Sequence, residues 1–450
     1  MLAYLSMMAP RLVELRRVLK PTGSIYLHCD PTASHYLKVL MDAIFSPANF
    51  RNEIIWLRTL SKGLMTKRLP NNHDVLLAYQ KDECATWNND AMFLPYDEDN
   101  LEAKTANKYR HRDPDGRLYR LDNLINPNQD RPNLTYEFLG ITKVWRWTKE
   151  RMQKAYDDGL VIQTRPGAVP QLKRYIDEQR GKSVGDIWTD IPPINSQAAE
   201  RLGYPTQKPE ALLERIIKAS SNEGDTVLDP FCGCGTAIAA AQKLNRRWLG
   251  IDITCLAISL IKHRLHNAFG DCIKENYEVV GEPVSVSDAA ALAVDDPYQF
   301  QWWALGLVNA RPVEQKKGAD KGIDGRLFFH DDAETAKTKQ ITFSVKAGKL
   351  HATYVRDLRG VVEREKAAMG VLLTMEEPTK PMRTEAASAG FYESPWQTKH
   401  PRIQILTVGE LLEGKSIDAP PSRDIRTFKK APRAKKTSGE KQHEMFGDKE

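Results

Sequence analysis

Cysteine is scarce and irregularly spaced in this chain. The 450 residues contain six cysteines, at Cys29, Cys84, Cys232, Cys234, Cys255 and Cys272. So sparse a set excludes the disulfide framework of a small secreted domain, and we expect reduced thiols. Cys232 and Cys234 stand close together, but one intervening residue is poor chelate spacing and no His or Cys pair follows. We therefore expect no zinc site there.

Long hydrophobic runs are absent as well. No apolar stretch approaches the roughly 20 residues that a transmembrane helix needs, which excludes a membrane-spanning protein. Residues 1–8 are apolar, but they lead into Arg11, Glu14 and Arg16 without the basic start and cleavage site of a signal peptide. We expect a cytoplasmic protein with no membrane partner.

Neither the charge nor the hydrophobicity of the chain is extreme. Hydrophobic residues make up 41% and charged residues 28% of the sequence, which excludes a disordered composition. The length exceeds what one hydrophobic core usually organises, so we expect two or three domains. The net charge of +6 permits a polyanionic partner without demonstrating one.

Helical and extended patterns alternate in two separate parts of the chain. The first part is predicted to hold helices over residues 5–19 and 34–45 and strands over residues 24–27, 53–57 and 74–79. The second part is predicted to hold helices over residues 210–220 and 236–244 and strands over residues 226–228 and 248–251. Strands that alternate with helices indicate an α/β fold.

Between these two parts, residues 81–196 are mostly polar, basic and aromatic. Examples are Tyr109-Arg110-His111-Arg112, Trp145-Arg146-Trp147 and Lys173-Arg174-Tyr175. Arginine and lysine suit phosphates, and aromatic rings suit stacking on bases, so the mixture fits a nucleic-acid recognition region. A small α+β subdomain with buried aromatic rings explains any single one of these residues equally well.

The most specific segment is a short strand that ends in a glycine-containing turn and opens a helix. Gly233 and Gly235 let the backbone turn tightly and approach a ligand, while Asp229 offers a carboxylate that could hold a cationic amino group. One strand later, Asp252 is placed to accept hydrogen bonds from a ribose diol. Two such glycines taken alone are explained equally well by steric needs of the turn.

The run Asp229-Pro230-Phe231-Cys232-Gly233-Cys234-Gly235-Thr236 resembles the DPFxGxGT signature of the β-class DNA amino-methyltransferases. The preceding Tyr204-Pro205-Thr206-Gln207-Lys208-Pro209 matches the PTQKP segment of the same family. The resemblance implies that the two segments together bind S-adenosylmethionine. The implied cofactor-binding residues are Thr206, Gln207, Lys208, Asp229, Pro230, Phe231, Gly233, Gly235, Thr236 and Asp252.

The likeness extends to the N-terminal text and covers roughly residues 1–267. The run Leu19-Lys20-Pro21-Thr22-Gly23-Ser24-Ile25, followed by His28-Cys29-Asp30, is similar to the LKPxGSI and H-x-D stretch of the family. Asn72-His73-Asp74 before a strand also fits. The resemblance implies a Rossmann-like, S-adenosylmethionine-dependent methyltransferase sheet with an inserted target-recognition region, and double-stranded DNA as the substrate.

The family motif for methyl transfer, DPPY or a close variant, does not occur in the printed sequence. In the family this motif lies upstream of LKPxGS and holds the amino group of a flipped-out base. Asp190-Ile191-Pro192-Pro193 lacks the aromatic residue, and Asp296-Pro297-Tyr298 lacks the second proline. We expect a gene whose start lies further upstream or a truncated remnant, and a polypeptide that binds the cofactor poorly and transfers methyl groups poorly or not at all.

A second pattern lies near the C-terminus, where strands are predicted over residues 326–330 and 340–346. Asp324, Ser344 and Lys346 resemble the Asp…(Glu/Gln/Ser)-x-Lys core of restriction-endonuclease-like folds, especially the Mrr-like branch. The resemblance implies that Asp324 would bind Mg²⁺ and that Lys346 would position or activate the attacking water. Ser344 stands where many active members carry Glu or Gln, which puts cleavage in doubt. The alternative is a small α/β module in which Asp320 and Asp324 cap turns.

These observations predict an α/β methyltransferase domain, a smaller α/β nuclease-like domain and a basic tail. The predicted ranges are 1–80 and 201–270 for the methyltransferase domain, 81–200 for the recognition region, 271–295 for a linker, 296–415 for the nuclease-like domain and 416–450 for a disordered tail. We expect adenine N6 rather than cytosine N4 as the target, from its frequency in the family. Two alternatives stay open: a catalytically dead DNA-binding remnant, and a nuclease that uses the methyltransferase part to recognise its site. Oligomerisation stays open as well.

Overall fold

A computed structural model describes residues 1–60, 69–195, 198–204, 206–313, 322–331 and 338–420 of the chain. These residues belong to two compact units, residues 1–56 with 74–188 and residues 57–73 with 189–450. Pro205, Asp320 and most of the predicted basic tail, residues 421–450, lie outside the described residues.

The first unit opens with two helices and three longer strands and continues into many short elements. In chain order these are α1 (Leu2–Val18), β1 (Ser24–Cys29), α2 (Pro31–Phe45), β2 (Phe50–Leu57), β3 (His73–Gln80), β4 (Phe93–Leu94), α3 (Ala103–Lys108), β5 (His111–Arg112), β6 (Leu118–Asn123), β7 (Thr135–Phe138), β8 (Ile141–Val144), α4 (Lys149–Asp157), β9 (Val161–Ile162), β10 (Gln171–Tyr175), β11 (Lys182–Ser183) and β12 (Ile187–Trp188).

The N-terminal core of this unit forms between a sheet of order β1-β3-β2-β12 and the helices α1 and α2. Asp30 caps α2 by accepting hydrogen bonds from the backbone of Thr32 and Ala33, and Pro31 occupies the first helical position. Strand β3 is buried along nearly its whole length, as its continuous apolar text predicts. It pairs antiparallel with β1, so the two strands bring distant segments side by side.

The region after β3 folds around a second small sheet of order β5-β6-β10-β9, with the hairpin β7–β8 and helix α4 beside it. Its core contains Leu124, Phe138, Trp145 and Met152. The region has a hydrophobic core of its own because its apolar and aromatic residues alternate with polar ones along short strands.

The second unit begins with the glycine-turn segment and continues into a larger sheet. In chain order its elements are α5 (Glu210–Ser220), β13 (Thr226–Asp229), α6 (Thr236–Lys243), β14 (Arg247–Gly250), α7 (Cys255–Phe269), α8 (Val286–Asp295), α9 (Pro297–Leu307), β15 (Arg311–Pro312), β16 (Gly325–Phe329), β17 (Lys339–Lys346), α10 (Thr353–Arg364), β18 (Met369–Thr374), α11 (Lys380–Ser388), β19 (Phe391–Glu393), β20 (Lys399–Pro401), β21 (Ile403–Thr407) and α12 (Val408–Leu412).

Strands β13 and β14 pair in parallel and α6 connects them, which makes a β-α-β unit. In the C-terminal domain, which we define as residues 286–420, the sheet order is β15-β16-β17-β18-β21. Strands β17, β18 and β21 are parallel, while β16 is antiparallel to β17. Strands β16 and β17 lie within one residue of the ranges predicted for them, 326–330 and 340–346.

The predicted α/β fold is confirmed, and the structure differs from the predicted domain ranges at two places. The predicted linker, residues 271–295, contains α8, which begins with a capping box at Ser285 and buries Ala289 in the core of the C-terminal domain. The predicted tail begins too early, because Ile417 and Ala419 pack against that core and Asp418 bonds to His400 at 2.7 Å. Across the described ranges, no helix has both the length and the hydrophobicity needed to span a bilayer.

Candidate functional site

The glycine turn after β13 has a backbone that only glycine fits well. Gly233 and Gly235 have φ angles of +50° and +71°, in the left-handed region. A Cβ atom at Gly233 would lie 3.0 Å from the ring of Tyr204, and one at Gly235 would lie 2.7 Å from Ile261 Cγ1. Both the conformation and the space therefore require glycine, and Gly235 also forms the N-cap of α6.

The carboxyl group of Asp229 lies at the end of β13, beside this turn. The backbone N–H of Phe231 donates a hydrogen bond to its Oδ1 at 3.1 Å. Burial, together with the charge of the nearby Asp252, raises the pKa of this carboxyl above its usual range. Among the described residues no lysine or arginine forms an ion pair with Asp229. An incoming cationic group would relieve the cost of ionising it.

Asp252 ties the glycine turn to the start of α7. Its Oδ2 accepts a hydrogen bond from the backbone N–H of Gly233 at 2.9 Å. Its Oδ1 accepts from the backbone N–H and the hydroxyl of Thr254 at 2.9 and 2.8 Å. A carboxylate has further lone pairs available, so a contact with a ribose diol stays a prediction.

The PTQKP-like segment is held by its own glutamine. Gln207 Oε1 accepts a hydrogen bond from the backbone N–H of Leu202 at 2.8 Å, and its Nε2 donates to the carbonyl of Glu200 at 2.5 Å. Lys208 Nζ donates to the carbonyl of Thr206 at 3.3 Å. Gln207 therefore shapes the loop that brings Tyr204 against Gly233.

A buried arginine that sequence reasoning missed supports the same turn from α7. Arg264 Nη1 donates to the Thr236 hydroxyl at 3.0 Å and to the Cys234 carbonyl at 3.4 Å. Its Nη2 donates to Glu210 Oε2 at 3.1 Å, which links α5, α6 and α7. The signal in the sequence was weak: Arg264 follows Leu260 by four residues and therefore lies on the apolar face of its helix.

The remaining residues of the turn divide into exposed and buried ones. Phe231, which follows Pro230, is about half exposed, at 49%. Burial raises the pKa of the Cys232 thiol to about 12, and it raises that of Cys234 as well. Thiols that resist ionisation make poor metal ligands, and the described part of the chain contains no cluster of His, Cys, Asp or Glu suited to a metal ion.

In the first unit, the two N-terminal family-like motifs meet. His28 Nε2 lies 2.8 Å from Asp74 Oδ2, and Asp74 is almost fully buried. The ring of Trp56 lies edge-on to His28, with centroids 6.0 Å apart. The antiparallel pairing of β1 with β3 places the two motifs side by side.

The two partial matches to the methyl-transfer motif have structural roles. Asp296 caps α9, because its Oδ1 accepts hydrogen bonds from the backbone of Tyr298 and Gln299 at 3.0 and 3.1 Å. Asp190 forms an ion pair with Arg215 of α5. The aspartate of one segment therefore caps a helix, and the aspartate of the other forms an ion pair with a helix.

Several basic and aromatic residues of the recognition region serve its own core. Trp145 is fully buried and donates its indole N–H to the carbonyl of Tyr136 at 2.9 Å. Lys173 pairs with Asp113 at 2.7 Å, and the Tyr175 hydroxyl donates to the same carboxylate. For these three residues a role in packing within the region accounts for the residue type. Contacts with DNA remain predictions.

In the C-terminal domain, the structure brings Asp324, Ser344 and Lys346 together. Asp324 Oδ2 accepts hydrogen bonds from the backbone N–H of Val345 at 2.7 Å and from the Ser344 hydroxyl at 3.2 Å, and Lys346 Nζ lies 3.9 Å away. One oxygen of the only carboxylate in this trio is thus already engaged with the chain itself. Among the described residues, Asp324 belongs to no group of three or more His, Cys, Asp or Glu side chains that could hold a metal ion.

Two family models match the chain. One, described as DNA methylase, matches residues 1–263, which is more than half of the chain. The other, described as NACHT-associated inactive Restriction Endonuclease 1, matches residues 299–413. The glycine turn lies within the first match, and Asp324, Ser344 and Lys346 lie within the second.

Individual proteins are similar over shorter parts. The type II methyltransferase M.EcaI of Enterobacter cloacae is 29% identical over 301 residues, covering 64% of this chain and 64% of that protein. The type II methyltransferase M.HpaI of Haemophilus parainfluenzae is 45% identical over 146 residues, covering 32% and 46%. The chain therefore spans less than two thirds of either relative. The solved complex of M1.HpyAVI with SAM is 16% identical, with a TM-score of 0.30, and the match covers 58% of this chain and 82% of that one.

Proposed function

This chain belongs to the DNA methylase family, and from that premise we propose that it binds S-adenosylmethionine as part of a system that methylates an exocyclic amino group in double-stranded DNA. We propose adenine N6 as the target, on its frequency in the family, and restriction and modification in the cytoplasm as the setting. When bound, the cofactor supplies the methyl group.

The partly buried carboxyl of Asp229 beside the glycine turn carries this proposal. Its raised pKa reflects a charged form that lacks compensation, and the α-amino group of the cofactor would provide the missing cation. Gly233 and Gly235 keep side chains away from the turn, so the backbone could approach the ligand closely. Asp252, one strand away, is the residue that we propose for the ribose.

Methyl transfer makes a further demand that we propose this chain does not meet on its own. The exocyclic nitrogen shares its lone pair with the base, so the site must accept hydrogen bonds from the amino group to localise that pair. The printed sequence contains no Asp-Pro-Pro-aromatic run that would supply these acceptors. We therefore propose weak cofactor binding together with methyl transfer that is slow or absent.

The experiment that tests both parts measures binding and transfer on the same preparation. Isothermal titration with S-adenosylmethionine is expected to give a saturable signal, and incorporation of labelled methyl groups into duplex DNA is expected to stay near background. Absence of binding would remove the cofactor assignment. Rapid incorporation would show that other residues replace the missing motif.

For the C-terminal domain we propose a fold without DNA cleavage. The matching family is described as inactive, Ser344 replaces the usual Glu or Gln, and the chain itself occupies one oxygen of Asp324. Mg²⁺ prefers octahedral coordination by oxygen, so most of its ligands at Asp324 would have to come from water or DNA.

Plasmid nicking in Mg²⁺ is therefore expected to be equally low for the wild type and for Lys346→Ala. The substitution removes the residue that would position the attacking water, so a true nuclease would lose activity. Nicking by the wild type that Lys346→Ala abolishes would contradict this proposal and would favour the nuclease alternative.

A further inference from the structure

A glutamine of the C-terminal domain grips the loop that carries Asp252. Gln299 lies in the first turn of α9, and its Oε1 accepts a hydrogen bond from the backbone N–H of Cys255 at 3.0 Å. Its Nε2 donates to the carbonyl of Ile253 at 3.1 Å. One carboxamide thus bridges Ile253 and Cys255 within residues 252–255, a segment at the start of α7 that we call the ribose loop.

Helix α9 and helix α7 approach each other closely beyond this contact. A Cβ atom at Gly306 of α9 would lie 2.6 Å from the hydroxyl of Ser259 in α7, so a larger residue there would require that hydroxyl to rotate away. The side chain of Cys255 packs against the core cluster of the C-terminal domain, which includes Phe300 and Trp303. The start of α7 is therefore embedded in the domain that follows it.

The other end of the ribose loop is fixed to the glycine turn. Asp252 accepts from the backbone of Gly233 and from Thr254, the N-cap of α7. Gln299 is therefore connected to the turn by hydrogen bonds at both ends of the ribose loop and by the backbone of the loop between them. The two family matches, residues 1–263 and 299–413, meet at this connection.

We propose that Gln299 is a positioning residue for the cofactor site, so that the C-terminal domain sets the affinity of the site for the ribose of S-adenosylmethionine. This inference rests on the proposed function. Because Gln299 bonds to both flanks of Thr254, it fixes the backbone on which Asp252 is held. By thermodynamic reciprocity, cofactor binding stabilises the contact between α9 and the ribose loop to the same extent.

The test compares the wild type with Gln299→Leu and Gln299→Glu. Leucine keeps most of the volume and removes both hydrogen bonds, whereas glutamate keeps an acceptor for Cys255 and loses the donor to Ile253. Affinity is measured for S-adenosylmethionine by titration, and for adenosine and 2′,3′-dideoxyadenosine by competition against it. Gln301→Leu, two residues along α9 and on roughly the opposite face, is the matched control.

We expect the Kd for S-adenosylmethionine to rise about tenfold in Gln299→Leu, in line with the loss of two neutral hydrogen bonds, and to stay unchanged in Gln301→Leu. The preference of the wild type for adenosine over its dideoxy analogue is expected to shrink in both Gln299 variants. A general loss of structure would weaken both nucleosides equally, so this ratio separates positioning from folding. Circular dichroism checks that each variant is folded. If Gln299→Leu does not fold, the comparison of adenosine with its dideoxy analogue is made with Gln299→Glu alone.

A preference for adenosine that both Gln299 variants retain would overturn the inference and leave the proposed function intact. A wild type that binds S-adenosylmethionine without any preference for adenosine would overturn the inference and the assignment of Asp252 to the ribose, while the proposal of cofactor binding would stand. A wild type that does not bind S-adenosylmethionine at all would overturn the proposed function, and this inference with it.

Discussion

Asp229→Asn is expected to weaken S-adenosylmethionine binding about ten- to hundredfold while making the free protein more stable at neutral pH. The first effect follows because a charge-assisted hydrogen bond to the cofactor's amino group would be lost. The second follows because burial and the charge of Asp252 disfavour the ionised form of Asp229, and asparagine removes that charge. Titration calorimetry and thermal unfolding measure the two effects on one pair of proteins.

The pH dependence of stability gives this prediction a distinctive sign. Since the pKa of Asp229 is raised in the folded state, its contribution to stability is fully present below the unfolded pKa of about 3.9 and is lost as the pH rises through the raised value. The stability gain of Asp229→Asn should therefore appear at neutral pH and vanish in strong acid. Cofactor affinity of the wild type should fall as acid protonates Asp229, and the variant should lack this fall.

Asp271→Asn is the control for the loss of a carboxylate from the same unit, because Asp271 is exposed and lies after α7. It is expected to leave both affinity and stability near the wild-type values. An Asp229→Asn variant that binds S-adenosylmethionine as well as the wild type would show that the cofactor's amino group is held elsewhere.

Gly235→Ala is expected to abolish cofactor binding and to lower the free energy of unfolding by about 3 kcal/mol. The added methyl group meets Ile261 at 2.7 Å in a backbone conformation, φ +71°, that alanine adopts at a cost. Relieving the clash with Ile261 or the strained backbone would shift the N-terminus of α6, and the glycine turn would shift with it. Chemical denaturation and titration with S-adenosylmethionine report the two losses.

Gly224→Ala separates backbone strain from the steric clash. Gly224 has a similar φ of +78°, but a methyl group there would meet nothing within 4 Å. This control is expected to cost about 1 kcal/mol and to leave cofactor binding unchanged. Equal costs at the two positions would mean that α7 yields freely, and the packing account of the turn would be wrong.

The local text predicted the secondary structure of the glycine-turn segment closely. The helix predicted over residues 210–220 is α5, and the strand and helix around the turn differ from prediction by one residue each. Periodicity and glycine placement act over a few residues, so they can be read without knowledge of the fold. The same reasoning missed helices α8 and α9, whose apolar residues lie between polar turns. The sequence of α8 was predicted to be a linker, and that of α9 was predicted to be the start of a domain.

Side-chain partners were much harder to predict than helices and strands. Lys173 and Trp145 fitted a DNA-binding surface in the sequence, yet one pairs with Asp113 and the other fills a core. The partner of Lys173 lies 60 residues away in the chain, and that of Arg264 at Glu210 lies 54 residues away. No local pattern specifies such pairs, because they form only when separate elements pack together.

The sequence alone determined the α/β class, the position of the glycine turn and the family to which the first part of the chain belongs, since each depends on residues that are close together in the chain. Only the tertiary structure decided that Asp229 is a partly buried carboxyl that pairs with no lysine or arginine among the described residues, that Arg264 supports the turn and that Gln299 bonds to the ribose loop. Burial and long-range hydrogen bonds are properties of packed elements, and packing is fixed by the whole chain at once.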